Sequence, residues 1–192
     1  MNYLGHLFLS QHSPELMIGN FIADAVKGKQ HENYPQQIQR GILMHRAIDF
    51  FTDHHPVARN TGLRFRPRFG KYAPILVDVV YDHFLAANWE HLHDESLETF
   101  SLNAYALMRQ NHQYMPERIA YMFKYMAEQN WLLSYAKIAG IERALQGMSK
   151  RTKPPSQLYP AIEELTEQYD EIQQEWKSFF SDARVEFARF NP

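Results

Sequence analysis

An apolar helix that carries two aspartates constrains the fold of this chain more than any other feature. Residues 74–87 read PILVDVVYDHFLAA, with Asp78 and Asp82 one helical turn apart. Apolar side chains cover nearly the whole circumference of this helix, which predicts that the helix and both carboxylates are buried. An unpaired buried carboxylate is very costly, so these two require a cation, a proton or a set of hydrogen-bond donors. A divalent metal ion meets that requirement most directly.

Helical periodicity dominates the rest of the chain, and no segment shows a convincing strand pattern. The spacing of apolar residues predicts helices over about 14–28, 35–55, 74–91, 95–112, 116–130, 132–147 and 158–187. Segment 57–73 contains two glycines and a proline and is predicted to be a loop, and 150–155 a polar break. With 192 residues and 45% hydrophobic content, the prediction is one all-α domain over 1–192, a bundle of about seven helices.

Composition narrows the possible chemistry. The chain has no cysteine, which excludes disulfides, a thiolate nucleophile and thiolate-bound zinc. Ten histidines and 22 acidic residues leave nitrogen and oxygen ligands, which suit Mn²⁺, Mg²⁺, Fe²⁺ or Zn²⁺. A net charge of −2 argues against wholesale nucleic-acid binding. Because no basic leader or membrane-length apolar run is present, we expect a cytoplasmic protein outside the membrane.

Four polar clusters interrupt otherwise apolar helical surface in the first half of the chain. They are His6, the pair Asn20 and Asp24, the group His45, Asp49, Thr52 and Asp53, and the group Asp78, Asp82 and His83. The first three have a structural alternative: a lone histidine is usually a hydrogen-bonded core residue, Asp24 suits an ion pair with Lys27, and His45 and Asp49 suit a solvated helix face. For the fourth this alternative is weaker, because buried aspartates rarely occur in pairs without a cation. Histidine and aspartate four residues apart can also reach one ion. Together the clusters supply enough ligands for one or two metal ions.

A run of cations indicates an anionic substrate. Segment 54–77 contains no acidic residue but holds five cations among aromatic residues: Arg59, Arg64, Arg66, Arg68 and Lys71. Such a run is most often a solvated loop, but this one lies between the two best candidate ligand helices. Arginine favours paired hydrogen bonds to phosphate or carboxylate. We therefore expect these residues to bind a phosphoester or an acidic protein surface.

At these same clusters the chain resembles the acyl carrier protein phosphodiesterase family, also called ACP hydrolyase. Four segments carry the resemblance in order along the chain: NYLGH at 2–6, GNFIAD at 19–24, GILMHRAIDFFTD at 41–53 and DVVYDHFL at 78–85. Trp131-Leu132 and residues 147–151 are also similar. Gly5 departs from the pattern, in which we expect alanine, but it is no proposed ligand.

The resemblance implies a divergent, HD-domain-like metal phosphohydrolase active with manganese. Such an enzyme cuts the phosphodiester between 4′-phosphopantetheine and a serine of holo acyl carrier protein, which leaves the apo protein. Asp24 matches the family's critical aspartate. None of the four segments that carry the resemblance contains the adjacent His-Asp pair that names the HD group. Our ligand set is therefore a hypothesis from the residues themselves: His6, Asp24, His45, Asp49, Asp78 and Asp82.

The expected chemistry is metal-assisted hydrolysis by Mn²⁺, or by Mg²⁺, Fe²⁺ or another divalent ion. Asp24 is assigned a catalytic role, His83 is the expected acid for the seryl leaving oxygen, and Arg46 is expected to neutralise phosphate charge. The cations at 59–71 would meet the acidic face of the carrier protein. Two alternatives remain open: an HD-type hydrolase of nucleotides or other small phosphoesters, and a helical binding module without enzymatic activity.

Overall fold

The computed structural model describes residues 1–150, 152 and 156–190, and these residues form helices without any strand. Eleven α-helices lie within them: α1 (Tyr3–Ser10), α2 (Pro14–Ile22), α3 (Gln36–His54), α4 (Pro56–Phe69), α5 (Ala73–Ala87), α6 (Leu97–Gln110), α7 (Glu117–Glu128), α8 (Trp131–Ser134), α9 (Ile138–Ser149), α10 (Ala161–Glu167) and α11 (Tyr169–Phe187). Short 3₁₀ turns connect several of them, including Ala23–Ala25 and Gly28–Asn33. The prediction of an all-α fold is confirmed.

Two glycines bring α2 and α3 into backbone contact. A Cβ atom on Gly19 would lie 2.1 Å from the carbonyl oxygen of Ile38, and one on Gly41 would lie 2.4 Å from the carbonyl oxygen of Leu16. Neither approach leaves room for a side chain. Because Asn20 follows Gly19 directly and His45 lies one turn beyond Gly41, this contact sets two polar side chains against each other.

Helix α5 runs through the core, as the sequence predicts, and also supports α1. Its buried residues include Leu76, Val80 and Phe84, which are each at most 1% exposed. The carboxylate of Asp82 on α5 accepts hydrogen bonds from the backbone N–H groups of Leu4 (2.7 Å) and Gly5 (3.0 Å). These are among the first N–H groups of α1, which no residue within the helix can bond. Asp82 therefore caps α1 from a distant part of the chain.

The segment predicted as a loop at 57–73 is largely a helix, so this prediction was wrong. Pro56 occupies the first turn of α4, where proline is favoured, and Gly70 (φ +52°) ends the helix. The inner face of α4 buries Ala58, Phe65 and Phe69. Pro67 lies inside α4 and cannot make the backbone hydrogen bond to the Leu63 carbonyl, but the helix continues past it and ends two residues later at Phe69.

The number of helices exceeds the predicted seven because α1 and α4 were not predicted and two predicted helices are each divided. Helices α8 and α9 replace one, and Gly140 allows α9 to pass close to the end of α8: its Cβ would lie 1.9 Å from the carbonyl oxygen of Ser134. Helices α10 and α11 replace the long C-terminal helix, with the break at Gln168. The predicted apolar stripe of this segment is nevertheless core, for Leu165, Ile172 and Phe179 are fully buried.

The predicted polar break at 150–155 lies mostly outside the described residues, as does Arg151 of the 147–151 segment. Among the described residues, every helix is too short or too polar to cross a membrane.

Candidate metal-binding site

A polar cavity of about 330 Å³ lies where α1, α3, α5 and the 3₁₀ turn Ala23–Ala25 meet. Its lining combines two histidines, four aspartates and a few neutral residues: Met1, Asn2, Tyr3, His6, Asp24, His45, Asp49, Asp53, Pro74, Ile75 and Asp78. The predicted ligands His6, Asp24, His45, Asp49 and Asp78 thus surround one cavity although they come from distant parts of the sequence. We refer to it below as the polar cavity.

Asn20 holds both imidazoles in one orientation. Its side-chain Nδ2 donates to the carbonyl oxygen of His6 at 3.0 Å, which fixes the amide so that Oδ1 faces the two rings. His6 Nδ1 donates to this Oδ1 at 2.8 Å, and His45 Nδ1 donates to Oδ1 at 3.1 Å and to the Asn20 carbonyl at 2.9 Å. With both protons on Nδ1, each ring turns its Nε2 away from Asn20.

The two Nε2 atoms converge on the carboxylate of Asp49. His6 Nε2 lies 3.2 Å from Asp49 Oδ1, and His45 Nε2 lies 3.2 Å from Asp49 Oδ2. The rings are stacked, with centroids 4.0 Å apart. One ligand atom from each of His6, His45 and Asp49 lies within 4.8 Å of the other two, and this is the only such group found among the described residues. Asp24 adds a second carboxylate, with Oδ1 3.4 Å from His45 Nε2.

The charges in the cavity favour a cation. Burial, together with the neighbouring His45, lowers the pKa of His6 to about 4, so its Nε2 carries a lone pair at neutral pH. That lone pair faces two further acceptors, Asp49 Oδ1 and the Met1 carbonyl oxygen at 3.0 Å. Three acceptors that face one another without a proton repel, and a metal ion among them would relieve the repulsion. The residues present therefore fit a divalent ion.

His45 differs from His6 because it contacts two carboxylates. Burial alone would lower its pKa, but hydrogen bonds to Asp24 and Asp49 outweigh burial and raise it to about 9. The same contact with His45 lowers the pKa of Asp24, and both histidines lower that of Asp49 against the effect of burial. Without a metal ion, His45 is therefore protonated at neutral pH, and an ion that binds its Nε2 must displace this proton.

Asp78 lines the polar cavity, but its partner differs from the expected metal ion. Its Oδ1 accepts from the amino group of Met1 at 2.6 Å, and its side chain is 32% exposed, so the predicted full burial was wrong. Burial raises the pKa of Asp78 against the opposing effect of this ammonium group. The ammonium group supplies the cation that the sequence argument required.

Asp82 and His83 lie outside the polar cavity, and their predicted roles are corrected. Asp82 is 1% exposed, and its oxygens accept from backbone N–H groups at the start of α1, so donors and not a metal ion satisfy it. His83 Nδ1 donates to the carbonyl oxygen of Tyr135 at 2.8 Å, and its Nε2 accepts from the Tyr169 hydroxyl at 2.9 Å. Burial lowers the pKa of His83, which also opposes a role as proton donor.

Arg46 is likewise not directed at the cavity. Its Nη2 donates to the carbonyl oxygens of Val26 and Gly28, both at 2.9 Å. The predicted contact with substrate phosphate is therefore corrected: this guanidinium anchors the segment after Asp24 to α3.

The five cations predicted to bind a partner divide into two groups. Arg64 Nη2 pairs with Glu175 at 2.7 Å, and Arg68 Nη1 pairs with Glu163 at 2.5 Å and with Glu164 at 3.0 Å. These two arginines attach α4 to α10 and α11, which corrects their assignment to partner binding. The other three, Arg59, Arg66 and Lys71, are exposed.

Sequence reasoning assigned no role to Asn20 and did not include Asp53 in the ligand set, although Asp53 lines the cavity. For Asn20 the available signal was an amide within the apolar stretch 16–22 of the sequence, and the structure buries this amide fully (0% exposed). Periodicity identified the apolar face of α2 but not the two histidines, His6 and His45, that the amide contacts. For Asp53 the signal was its spacing of four residues from Asp49, along the same side of α3.

Comparison with known proteins identifies the family of this chain. Residues 1–183 match the family model for acyl carrier protein phosphodiesterase. A protein of that name from Photorhabdus laumondii subsp. laumondii is 33% identical over 93% of this chain and 87% of its own length. One from Enterobacter sp. (strain 638) is 32% identical over 97% of both chains, and one from Yersinia enterocolitica is 32% identical over 94% of both.

No solved structure matches the chain. The match to the family model covers nearly the whole sequence and includes every residue of the polar cavity. The chain therefore belongs to the acyl carrier protein phosphodiesterase family.

Proposed function

We propose that this protein is a metal-dependent phosphodiesterase that releases 4′-phosphopantetheine from the serine of holo acyl carrier protein. The observation that carries the proposal is the convergence of His6 Nε2, His45 Nε2 and the Asp49 carboxylate within 4.8 Å, in a chain that belongs to this family. Two imidazoles and a carboxylate match the ligands that Mn²⁺ or Fe²⁺ accepts. We also propose that the enzyme is HD-domain-like, as the resemblance implies.

The residues of the polar cavity would have different roles in this reaction. His6, His45 and Asp49 would hold the ion, with Asp24 as a fourth ligand or as a base that orients water. A bound divalent ion would supply electrostatic stabilisation of the phosphoryl oxygens and a more acidic water. Asn20 keeps both Nε2 atoms directed toward Asp49, and it would hold them in place for an ion. Asp24 is 56% exposed at the mouth of the cavity, which suits a residue that contacts both solvent and substrate.

The exposed cations suit an acidic partner. Arg59, Leu63 and Arg66 are spaced by four and three residues and share the outer face of α4, where Leu63 is 57% exposed. Lys71 follows α4 and is four residues before Ile75, which lines the cavity and is 40% exposed. We propose that the acidic carrier protein docks on this face and directs its prosthetic group into the cavity.

The test is a mass-spectrometric assay of holo carrier protein incubated with the Mn²⁺-loaded enzyme. We expect the mass of the apo protein to appear with wild type, and turnover to fall at least about a hundredfold in Asp49→Asn and Asp24→Asn. Asp182→Asn is the matched control, because Asp182 also contacts a histidine, His55 at 3.2 Å, but outside the cavity. Wild-type turnover in Asp49→Asn would contradict the metal site.

A parallel incubation with a panel of nucleotides separates the proposed substrate from small phosphoesters. Turnover of nucleotides with intact holo carrier protein would refute the carrier-protein assignment. Wild-type protein that binds no Mn²⁺, Fe²⁺ or Mg²⁺ in calorimetry would instead favour a helical binding module without catalysis.

Docking is tested by charge reversal. Arg59→Glu with Arg66→Glu should raise KM for the holo carrier protein by about tenfold and reduce its dependence on salt, with little change in kcat. Arg143→Glu, an exposed arginine on α9, is the control. An unchanged KM in the double variant would place the docking surface elsewhere.

A further inference from the structure

A second cavity lies beside the polar cavity and has a different chemistry. It measures about 410 Å³, and its lining includes three side-chain amides and two tyrosines: Gln30, Asn33, Gln113, Tyr34 and Tyr114. Every side chain that lines it among the described residues is uncharged, whereas the polar cavity holds four aspartates. We call it the amide cavity.

The chain itself connects the two cavities. Asp24 lines the polar cavity, and the next residue, Ala25, lines the amide cavity. Asp24 is exposed and Ala25 is half-buried, so the strip between the cavities is open to solvent. Arg46 anchors this strip, because its Nη2 donates to the carbonyl oxygens of Val26 and Gly28. A substrate whose phosphate lies at the polar cavity can therefore extend directly across Ala25.

The lining indicates what kind of group the amide cavity accepts. A side-chain amide offers both a donor and an acceptor, and a tyrosine offers an apolar face with one polar atom. An anion would find no cationic side chain among the described lining residues. A neutral, flexible chain with its own amide groups would find matched hydrogen bonds and apolar contacts. The amide cavity thus differs from both the acidic cavity and the basic outer face of α4.

We propose that the amide cavity binds the pantetheine arm of the substrate. This inference rests on the proposed function, which places the phosphate of the prosthetic group at the polar cavity. The arm is neutral and carries two secondary amides and a dimethyl group, which match the amides and aromatic faces of the lining. Binding there fixes the direction in which the arm leaves the phosphate, and it distinguishes pantetheine-bearing phosphodiesters from nucleotides.

The first test uses free pantetheine, which lacks both the phosphate and the carrier protein, with the metal-free enzyme. We expect saturable NMR shifts of the Tyr34 and Tyr114 resonances, and their loss in Tyr114→Ala. Tyr121→Ala is the matched control, because Tyr121 is 69% exposed on α7 and does not line the amide cavity. Circular dichroism and thermal unfolding establish that each variant is folded. Absence of saturable shifts at these two tyrosines would overturn the inference.

The second test measures turnover of holo carrier protein. Tyr34→Ala and Tyr114→Ala should each raise KM by about five- to tenfold, the effect expected on removal of one aromatic contact, and Tyr121→Ala should not. Unchanged KM in both cavity variants would overturn the inference while the proposed function stands. Saturable pantetheine binding without hydrolysis of holo carrier protein would instead contradict the proposed function and retain the cavity assignment.

Discussion

Replacement of Asn20 by leucine tests whether this one amide prepares the metal site. Leucine has a similar volume but no polar atoms, so His6 Nδ1 loses its acceptor at 2.8 Å. His45 Nδ1 is affected less, because it keeps the Asn20 backbone carbonyl at 2.9 Å. The carbonyl oxygen of His6 also keeps a donor, the Ser10 hydroxyl at 2.8 Å. The damage should therefore fall mainly on the orientation of one ring.

The magnitude follows from this count of lost partners. One buried donor without an acceptor costs about 1–3 kcal/mol of folding free energy. Loss of a residue that orients a metal ligand typically weakens metal affinity by about 10- to 100-fold. Asn20→Asp retains an acceptor for both Nδ1 atoms and should bind Mn²⁺ more tightly than Asn20→Leu.

The assay is calorimetric titration of Mn²⁺ into each variant, with urea unfolding measured in parallel. Ser101→Ala is the control for stability alone, because the buried Ser101 hydroxyl donates only to the Leu97 carbonyl on α6. It should lower the free energy of unfolding without a change in Mn²⁺ affinity. Wild-type affinity in Asn20→Leu, or an equal loss of affinity in Ser101→Ala, would refute the argument.

The two histidines of the polar cavity should contribute most to the stability of the metal-free protein near pH 6.5. The lowered pKa of His6, about 4, means that its contribution is lost as the pH falls from 6.5 to 4, and the raised pKa of His45, about 9, means that its contribution is lost as the pH rises from 6.5 to 9. Thermal unfolding across this range checks both limbs, and a steady rise in Tm up to pH 9 would contradict the second. Asp82→Ala should lower the free energy of unfolding by about 2–4 kcal/mol in urea, because it leaves buried N–H groups of α1 without acceptors; a loss within about 0.5 kcal/mol would show that water replaces the cap. Gly19→Ala should unfold the protein or lower its Tm sharply, whereas Gly147→Ala, with open space around its Cβ position, should not; equal Tm values would contradict the backbone contact.

Periodicity predicted the helical class and the buried faces of α5 and α11, because both depend on local spacing. It failed at α4, where Gly62 and Pro67 count as helix breakers in sequence. Whether such residues end a helix depends on where in the helix they fall and on what packs against them. Pro67 lies in the last turn of α4. Gly62 packs against Val77, because a Cβ atom on Gly62 would lie 3.7 Å from Val77 Cγ2.

The residues of the candidate site were likewise predicted from local spacing only in part. Local spacing joined His45 to Asp49, and the structure places His6 and Asp24 beside them. Their roles as metal ligands remain predictions. For Asp82 the sequence indicated only that a buried carboxylate requires compensation. The donors are backbone groups 77 and 78 residues away, and nothing in the local pattern distinguishes them from a metal ion.

The contact between Gly19 and Gly41 has a consequence for how the polar cavity would respond to a bound ligand. Because the two backbones touch, α2 and α3 can neither slide nor rotate past each other without a clash, so Asn20 and His45 are held in fixed relative positions, and His6 on α1 is held through its hydrogen bond to Asn20. Adjustment is left to the exposed carboxylates of Asp24 and Asp49, whose side chains are 56% and 46% exposed. The cavity therefore combines rigidly held imidazole nitrogens with more adaptable carboxylate oxygens, an arrangement that, under the proposed metal-binding role, would accept ions of slightly different radius without disturbing the fold.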